Sequence, residues 1–119
     1  MRNECALTFA PRAASLVSYG RRMALFLVVT IKPRLDRLVE AEAQLQSMRR
    51  ASLTEPGRLF MHLTQPHDAP GTWVMLEMFA SRAAWDEHMA QPYNVEGNRI
   101  LEDLLREPSE LRLLDEKPG

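Results

Sequence analysis

The sequence predicts an α+β domain with the element order β-α-β-β-α-β. Three observations predict it. Four apolar runs have the length of strands, two segments between them have the apolar spacing of helices, and the two central strands are joined by a short turn rich in Pro and Gly. With 119 residues, 45% of them hydrophobic and 26% charged, the chain has the size and composition of one soluble globular domain.

The charge of the chain argues against polyanionic partners. A net charge of -1 gives no basic excess of the kind that binds nucleic acid or an anionic membrane. Residues 1–22 differ from the rest, because they carry four arginines, one glutamate and the single cysteine, Cys5. We therefore predict an N-terminal extension over residues 1–22 and a core domain over residues 23–119. With one cysteine an internal disulfide is excluded, and the reducing cytoplasm is the expected location.

The first strand and the first helix are predicted from residues 24–53. Residues 24–32 (ALFLVVTIK) form a β-branched and leucine-rich run of strand length, which Pro33 closes. Residues 35–53 then have helical spacing, and the Glu55-Pro56-Gly57 turn ends this segment. The predicted apolar face of the helix consists of Leu35, Leu38, Val39, Leu45 and Met48.

Two further strands are predicted as a hairpin. Residues 58–65 and 72–79 each have strand length, and the connection PHDAPG between them is short enough for antiparallel pairing. The second of these strands is apolar on both faces, which indicates burial on both sides of a sheet. One face of it carries Trp73, Met75, Glu77 and Phe79, so that a carboxylate interrupts an apolar surface.

The last part of the chain predicts a broken helix and a final strand. Ser81 is a good helix cap, and Trp85, His88 and Met89 follow on one face at helical spacing. Pro92 opens a further helical stretch, whose predicted apolar face consists of Val95, Ile100, Leu101, Leu104 and Leu105. Pro108 is expected to end it, and residues 109–116 to form the last strand.

This order is that of the ferredoxin-like split βαβ unit, a four-stranded antiparallel sheet with the helices on one face. The second face of the sheet would still be apolar, since Phe26, Val28, Val74, Leu76 and Met78 or their neighbours project from it. Burial stabilises each such side chain by roughly 1.5 to 3 kcal/mol. We therefore predict a homodimer that packs sheet against sheet.

Residues 55–94 also carry a resemblance to a family. The Glu-x-Gly turn at Glu55, the acid-x-aromatic-x-Ser segment from Glu77 to Ser81, and the spacing His88-x-x-x-Pro92 together resemble the antibiotic biosynthesis monooxygenase domain. The resemblance covers about residues 24–116. It implies a dimeric α+β barrel with a pocket between sheet and helices. Members of the family include oxygenases that need no metal or flavin, quinol monooxygenases and haem degraders.

The resemblance places Glu77, Phe79 and His88 in the pocket. Tyr93 stands where quinol-oxidising members often have a second histidine, which leaves open whether Tyr93 replaces a base. The positions at which haem degraders hold an Asn, an indole and an axial His carry other residues here, so haem ligation is not expected. We expect no metal site either, because His62 and His67 lack the spacing of metal ligands.

The chemistry of a cofactor-independent oxygenase gives each residue a possible role. An electron-rich quinol or polyphenol supplies electrons to O2, so the protein has to deprotonate a hydroxyl and exclude water. His88 would be the base, Glu77 would fix its tautomer or raise its basicity, and Tyr93 or Asn94 would hold a substrate oxygen. The wall against the aromatic ring would consist of Phe79, Trp85, Met75 and Met61.

Each role has a structural alternative. His88 is equally explained as a half-exposed residue at the edge of the core, and Glu77 as an ion-pair partner of Arg82 or Arg99. The tryptophans and methionines are more simply explained as core or dimer packing. The alternative function is therefore a non-catalytic dimeric module that binds a small molecule or has only a structural role. An enclosed void bordered by Glu77, His88 and Tyr93 would favour the enzyme.

Overall fold

The computed structural model describes residues 24–118, so the extension predicted over residues 1–22, with Cys5, lies outside the described part of the chain. The four strands form one antiparallel sheet in the spatial order β2-β3-β1-β4, with all three helices on one face. This confirms the predicted ferredoxin-like α+β fold. The elements are β1 (Leu25–Pro33), α1 (Leu38–Ser52), β2 (Arg58–Thr64), β3 (Trp73–Phe79), α2 (Arg82–Met89), α3 (Pro92–Glu102) and β4 (Leu105–Asp115).

One face of the sheet forms the core with the helices. On β3 the predicted alternation is confirmed, because Trp73, Met75, Glu77 and Phe79 are each at most 7% exposed. The main core joins the strands to α1 and α3 and consists of Ile31, Ala41, Leu45, Met61, Trp73, Met75, Leu101 and Leu105. A smaller cluster of Leu25, Leu27 and Phe79 packs against Ala84 and Trp85 at α2.

Helix α1 buries Leu45 of the predicted apolar face and half-buries Leu38 and Met48, but it leaves the other two residues exposed. It begins at Leu38 rather than at Leu35, because a turn closed by the bond from Arg37 N to Arg34 O precedes it. Leu35 and Val39 are consequently 67% and 85% exposed. The fully buried side chains of α1 are Ala41, Leu45 and Ser52, and the two small ones allow the helix to approach the sheet closely.

The predicted break near Pro92 is confirmed. Ser81 Oγ accepts a hydrogen bond from Ala84 N at 3.2 Å and caps α2, while Pro92 occupies the first turn of α3, where its missing N–H costs nothing. The buried face of α3 was predicted only in part, since Leu101 is buried as expected but together with Asn94 and Gly97. Val95 and Ile100 are 60% and 37% exposed.

The prediction that Pro108 ends a helix was also wrong. Helix α3 ends at Glu102, and β4 begins at Leu105, so that Pro108 lies inside a strand. Strand β4 is at the edge of the sheet, and its register against β1 shifts around Lys32 and Pro33. A proline is tolerated in such a place, because an irregular edge strand does not need every N–H for pairing.

The second face of the sheet is apolar and has no helix over it within residues 24–118. Phe26, Phe60 and Met78 are half-buried there, while Leu76 and Leu114 are each 38% exposed. The rings of Phe26 and Phe60 lie 6.3 Å apart, which joins β1 and β2 across β3. No described helix is long and apolar enough to span a membrane.

Candidate functional site

A cavity of about 280 Å³ lies between the sheet and the helices. Most of its wall is apolar, including the aromatic ring of Trp85 and the flexible side chains of Met48, Met61, Met75 and Met89. Three buried polar side chains interrupt this wall, namely Glu77, His88 and Asn94, which are 7%, 7% and 4% exposed. An apolar cavity with a few polar groups is typical of small-molecule sites.

His88 is held by Glu55 at one ring nitrogen. Its Nδ1 lies 3.1 Å from both carboxylate oxygens of Glu55, which follows α1 in the chain. A carboxylate accepts hydrogen bonds, so Nδ1 carries a proton, and in the neutral ring the free lone pair is then on Nε2. Residues 24–118 provide Nε2 with no hydrogen-bond partner. His88 is part of the cavity wall, whereas Glu55 is not.

Tyr93 contacts Glu55 and His88 but is not part of the cavity wall. Its hydroxyl donates a hydrogen bond to Glu55 Oε2 and lies 3.4 Å from His88 Nδ1. Burial raises the pKa of the Tyr93 phenol well above its usual range, and the hydrogen bond to Glu55 and the negative charge of Glu55 raise it further. Tyr93 is therefore a protonated donor to Glu55 at neutral pH, and it is not suited to act as a base.

Glu77 is paired with Arg58 rather than with His88. Arg58 Nη1 donates to Glu77 Oε1 at 2.8 Å, and the two side chains are only 0% and 8% exposed. Arg58 Nε also donates to Ser52 Oγ at 2.8 Å, and its guanidinium lies 3.9 Å above the Phe79 ring. The expectation that Glu77 contacts His88 is therefore wrong. Glu77 pairs with Arg58, and Glu55 is the carboxylate at His88.

The alternative partners suggested for Glu77 are engaged elsewhere. Arg82 pairs with Asp86, and Arg99 pairs with Glu96, both on the exposed surface of their own helices. An ion pair at Glu77 was therefore correctly anticipated, although its cation lies on β2 instead of on a helix.

The cavity collects most, but not all, of the residues singled out from the sequence. Its wall includes Glu77, His88, Asn94, Trp85, Met75 and Met61. Tyr93 and Phe79 are not part of that wall. Phe79 is fully buried, and its ring centroid is 5.2 Å from that of His88, so that it supports the imidazole from the protein side. The Asn94 amide has a weak contact, 3.7 Å from Nδ2 to the sulfur of Met89.

Sequence reasoning missed Glu55, Arg58 and Ser52. Glu55 was assigned only to a turn, and the signal available for it was its position in the Glu-x-Gly segment of the resemblance. Arg58 and Ser52 had no such signal. Within residues 24–118 no three His, Cys, Asp or Glu side chains lie close enough to hold a metal ion.

Comparison with solved structures finds the same fold in several organisms. A conserved protein from Methanosarcina mazei Go1 is 19% identical, with a TM-score of 0.78 over 84% of this chain and 99% of its own. A protein from Caulobacter crescentus CB15, provisionally assigned as an antibiotic biosynthesis monooxygenase, is 21% identical, with a TM-score of 0.77 over 82% of this chain and 92% of its own. Rv0793 from Mycobacterium tuberculosis is 25% identical, with a TM-score of 0.75 over 81% of this chain and 97% of its own.

Among curated protein sequences, none matches this chain significantly. The family profile described as antibiotic biosynthesis monooxygenase matches residues 24–97, which include β1 to α2 and the beginning of α3. These residues hold Glu55, Glu77, His88 and Asn94, and therefore all the buried polar groups of the cavity. The chain belongs to the antibiotic biosynthesis monooxygenase family.

Proposed function

We propose that this protein is a monooxygenase that oxidises a small quinol or polyphenol with O2 inside the cavity between sheet and helices. One observation supports this proposal above all. His88 has its Nδ1 held by Glu55 at 3.1 Å, while its side chain belongs to the wall of a largely apolar cavity that Glu55 does not border. A neutral imidazole fixed in this tautomer is suited to take a proton from a hydroxyl group. Membership of the family supports the class of reaction.

The first step is the transfer of a proton from a substrate hydroxyl to His88 Nε2. The Glu55 carboxylate accepts the Nδ1–H bond and holds the imidazolium that forms, as an acidic residue does in other histidine pairs. The Tyr93 hydroxyl donates to the same carboxylate and fixes its position. Glu55 and Tyr93 are positioning residues in this scheme, because neither contributes to the cavity wall.

The second step is the reaction of the substrate anion with O2. The anion is electron-rich and supplies the electrons itself, so the scheme requires no bound metal or flavin. One oxygen atom forms a bond to a ring carbon, and the other leaves as water with two hydrogen atoms from the substrate, which becomes a hydroxylated quinone. The apolar wall, with Trp85, Met61 and Met75, excludes solvent from the anion.

The dimensions of the cavity favour a small substrate. Its volume of about 280 Å³ is just below the roughly 300–1,000 Å³ that is usual for drug-sized ligands. A compound with one to three rings is therefore the expected size. The Asn94 amide is placed to donate a hydrogen bond to a second oxygen of this compound, because among residues 24–118 its only side-chain hydrogen bond is the weak one with Met89.

We also propose that the protein is a homodimer that packs its open sheet faces together. Phe26, Phe60, Leu76, Met78 and Leu114 provide an apolar surface across all four strands. Leaving such side chains in water costs about 1.5 to 3 kcal/mol each compared with burial. A second copy of the chain has the same surface and is therefore complementary to it.

The function is tested by oxygen consumption with a panel of dihydroxynaphthalenes, using protein treated with a metal chelator and subtracting the rate without protein. Wild type is expected to consume O2 and to incorporate one atom of isotope-labelled O2 into the product. His88→Ala is expected to lower kcat/KM by about 10²- to 10⁴-fold, the range typical of a lost general base. The matched control is His67→Ala, because His67 is exposed in the turn between β2 and β3.

Two outcomes would contradict the proposal. Equal rates for wild type and His88→Ala would remove His88 from the mechanism. The absence of O2 consumption with every compound would favour the non-catalytic binding module instead.

A further inference from the structure

Among residues 24–118, the cavity has carboxylates in its wall but no Lys or Arg side chain. Within residues 24–118, the charged groups that border it are Glu77, buried in the sheet, and Glu102, exposed at the end of α3. His88 is the only other titratable side chain in this wall. A ligand with a carboxylate or phosphate group would therefore have no fixed cation to pair with.

The buried cation of this region, Arg58, is paired with Glu77 and lies outside the cavity wall. Arg58 donates to both Ser52 and Glu77 at 2.8 Å, and it stacks on Phe79 at 3.9 Å. Its side chain has no solvent exposure and does not contribute to the cavity wall. Arg58 therefore compensates the charge of Glu77. Its Nη2 has no hydrogen-bond partner among residues 24–118, but this nitrogen is buried and Arg58 does not border the cavity.

The surface beside the cavity is acidic as well. A shallow depression shares Glu102 and Ser109 with the cavity, and Asp103 and Glu107 extend it. Arg106 borders the same depression and adds one positive charge, while its Nη1 donates to the Gly71 carbonyl at 2.9 Å. Lys32 pairs with Glu107 at 3.2 Å and offsets its charge. Glu102 and Asp103 together exceed the charge of Arg106 by one, which leaves a net negative charge beside the cavity.

We propose that the cavity selects uncharged phenols and rejects aromatic carboxylates, and that Glu102 sets this discrimination. The inference deepens the proposed function, because it concerns the charge of the ligand in the same cavity. Proton transfer to His88 is compatible with it, since the phenolate then lies beside an imidazolium and the total charge in the cavity is unchanged. A carboxylate on the ring would lose its hydration without such a partner and would be repelled by Glu102.

The test is isothermal titration calorimetry with naphthol and a hydroxynaphthoate, which differ by one carboxylate. Wild type is expected to bind naphthol roughly tenfold more tightly than the hydroxynaphthoate at low salt, with a smaller ratio at high salt because ions screen the exposed carboxylate. In Glu102→Gln the ratio is expected to fall toward one through tighter binding of the hydroxynaphthoate. The control is Glu42→Gln, since Glu42 is exposed on α1 and does not border the cavity.

The outcomes separate this inference from the proposed function. Equal affinities in wild type, a ratio unchanged by Glu102→Gln, or no binding of naphthol would each overturn the selectivity. A preference for naphthol without any oxygen consumption would support the selectivity and contradict the oxygenase. Oxidation of quinols without a preference for naphthol in binding would support the oxygenase and contradict the selectivity.

Discussion

Arg58 and Glu77 form an ion pair, 2.8 Å from Nη1 to Oε1, inside the layer between the sheet and the helices. The pair joins the first residue of β2 to the middle of β3, and the bond from Arg58 to Ser52 extends it to the end of α1. Three elements that surround the cavity are therefore fixed by one guanidinium. The pair also keeps an uncompensated charge out of a cavity that is otherwise apolar.

Arg58→Met is predicted to lower the free energy of unfolding by about 3–5 kcal/mol, because it leaves the Glu77 carboxylate buried without a cation. The double variant Arg58→Met with Glu77→Leu is expected to be more stable than Arg58→Met alone, since no lone charge remains. Both are measured by urea unfolding. Arg99→Met is the control, because Arg99 belongs to the exposed pair with Glu96 and its loss should change stability far less. A similar loss in Arg99→Met and Arg58→Met would contradict the prediction.

Gly57→Ala is predicted to destabilise the fold, because the methyl group would meet α2. A β-carbon at Gly57 would lie 2.4 Å from the β-carbon of Ala84, and the bond from Ala80 N to Gly57 O at 2.8 Å keeps this part of the backbone in place. Overpacking of this kind costs about 1–3 kcal/mol.

Ala84→Gly should relieve the clash, although alone it costs about 1 kcal/mol in helix propensity. The double variant should therefore lose less stability in urea unfolding than the two single losses together. If the stability losses of the two single variants simply add in the double variant, the contact with Ala84 is not what destabilises Gly57→Ala.

Tyr93 is predicted to make stability fall at alkaline pH. The fold raises the pKa of its phenol above the unfolded value of about 10, so the folded state retains the proton longer than the unfolded state does. This contribution is complete below about pH 10 and is lost as the pH rises above that value, at no more than about 1.4 kcal/mol per pH unit. Urea unfolding between neutral and strongly alkaline pH measures it, and Tyr93→Phe should show a weaker dependence.

Tyrosinate absorbance gives an independent check on the same residue. The chain has two tyrosines, Tyr19 and Tyr93. Tyr93→Phe should remove the transition at the higher pH and leave the other one unchanged. A wild-type protein in which both tyrosines titrate together near pH 10 would refute the raised pKa of Tyr93.

The parts of the fold that repeat a regular spacing were predictable from the sequence. On β3 the alternation from Trp73 to Phe79 specifies one buried face, because every second residue of a regular strand points the same way. Ser81 and Pro92 marked the starts of α2 and α3 for an equally local reason, since a cap and a proline act within one helical turn. These residues allowed the order of the elements to be predicted.

The parts that depend on an irregularity were not predictable. The register between β2 and β3 shifts between Arg58 and Phe60, so Arg58 does not follow the alternation of the residues after it and points into the core. Proline usually ends a helix, which is why a helix end was predicted at Pro108. Pro108 is tolerated inside β4 because this strand lies at an edge of the sheet with an irregular register. The pairing of Glu55 with His88 joins a turn to helix α2 across 33 positions, which no periodic pattern specifies.

Leu76→Arg is predicted to convert a dimer into a monomer. Leu76 lies in the middle of β3, opposite Val28 of β1 and His62 of β2, and thus at the centre of the open face of the sheet. A guanidinium there would have to be buried without a partner if two sheets packed together. Val39→Arg is the matched control, because it places the same charge on an 85% exposed position of α1.

Sedimentation equilibrium at micromolar concentration measures both variants. Wild type and Val39→Arg are expected to be dimers, and Leu76→Arg a folded monomer with unchanged helix and strand content by circular dichroism. A folded wild-type monomer at this concentration would rule out the sheet-to-sheet dimer. The apolar surface around Leu76 would then have to be tolerated in water, at a cost that few domains of this size could offset.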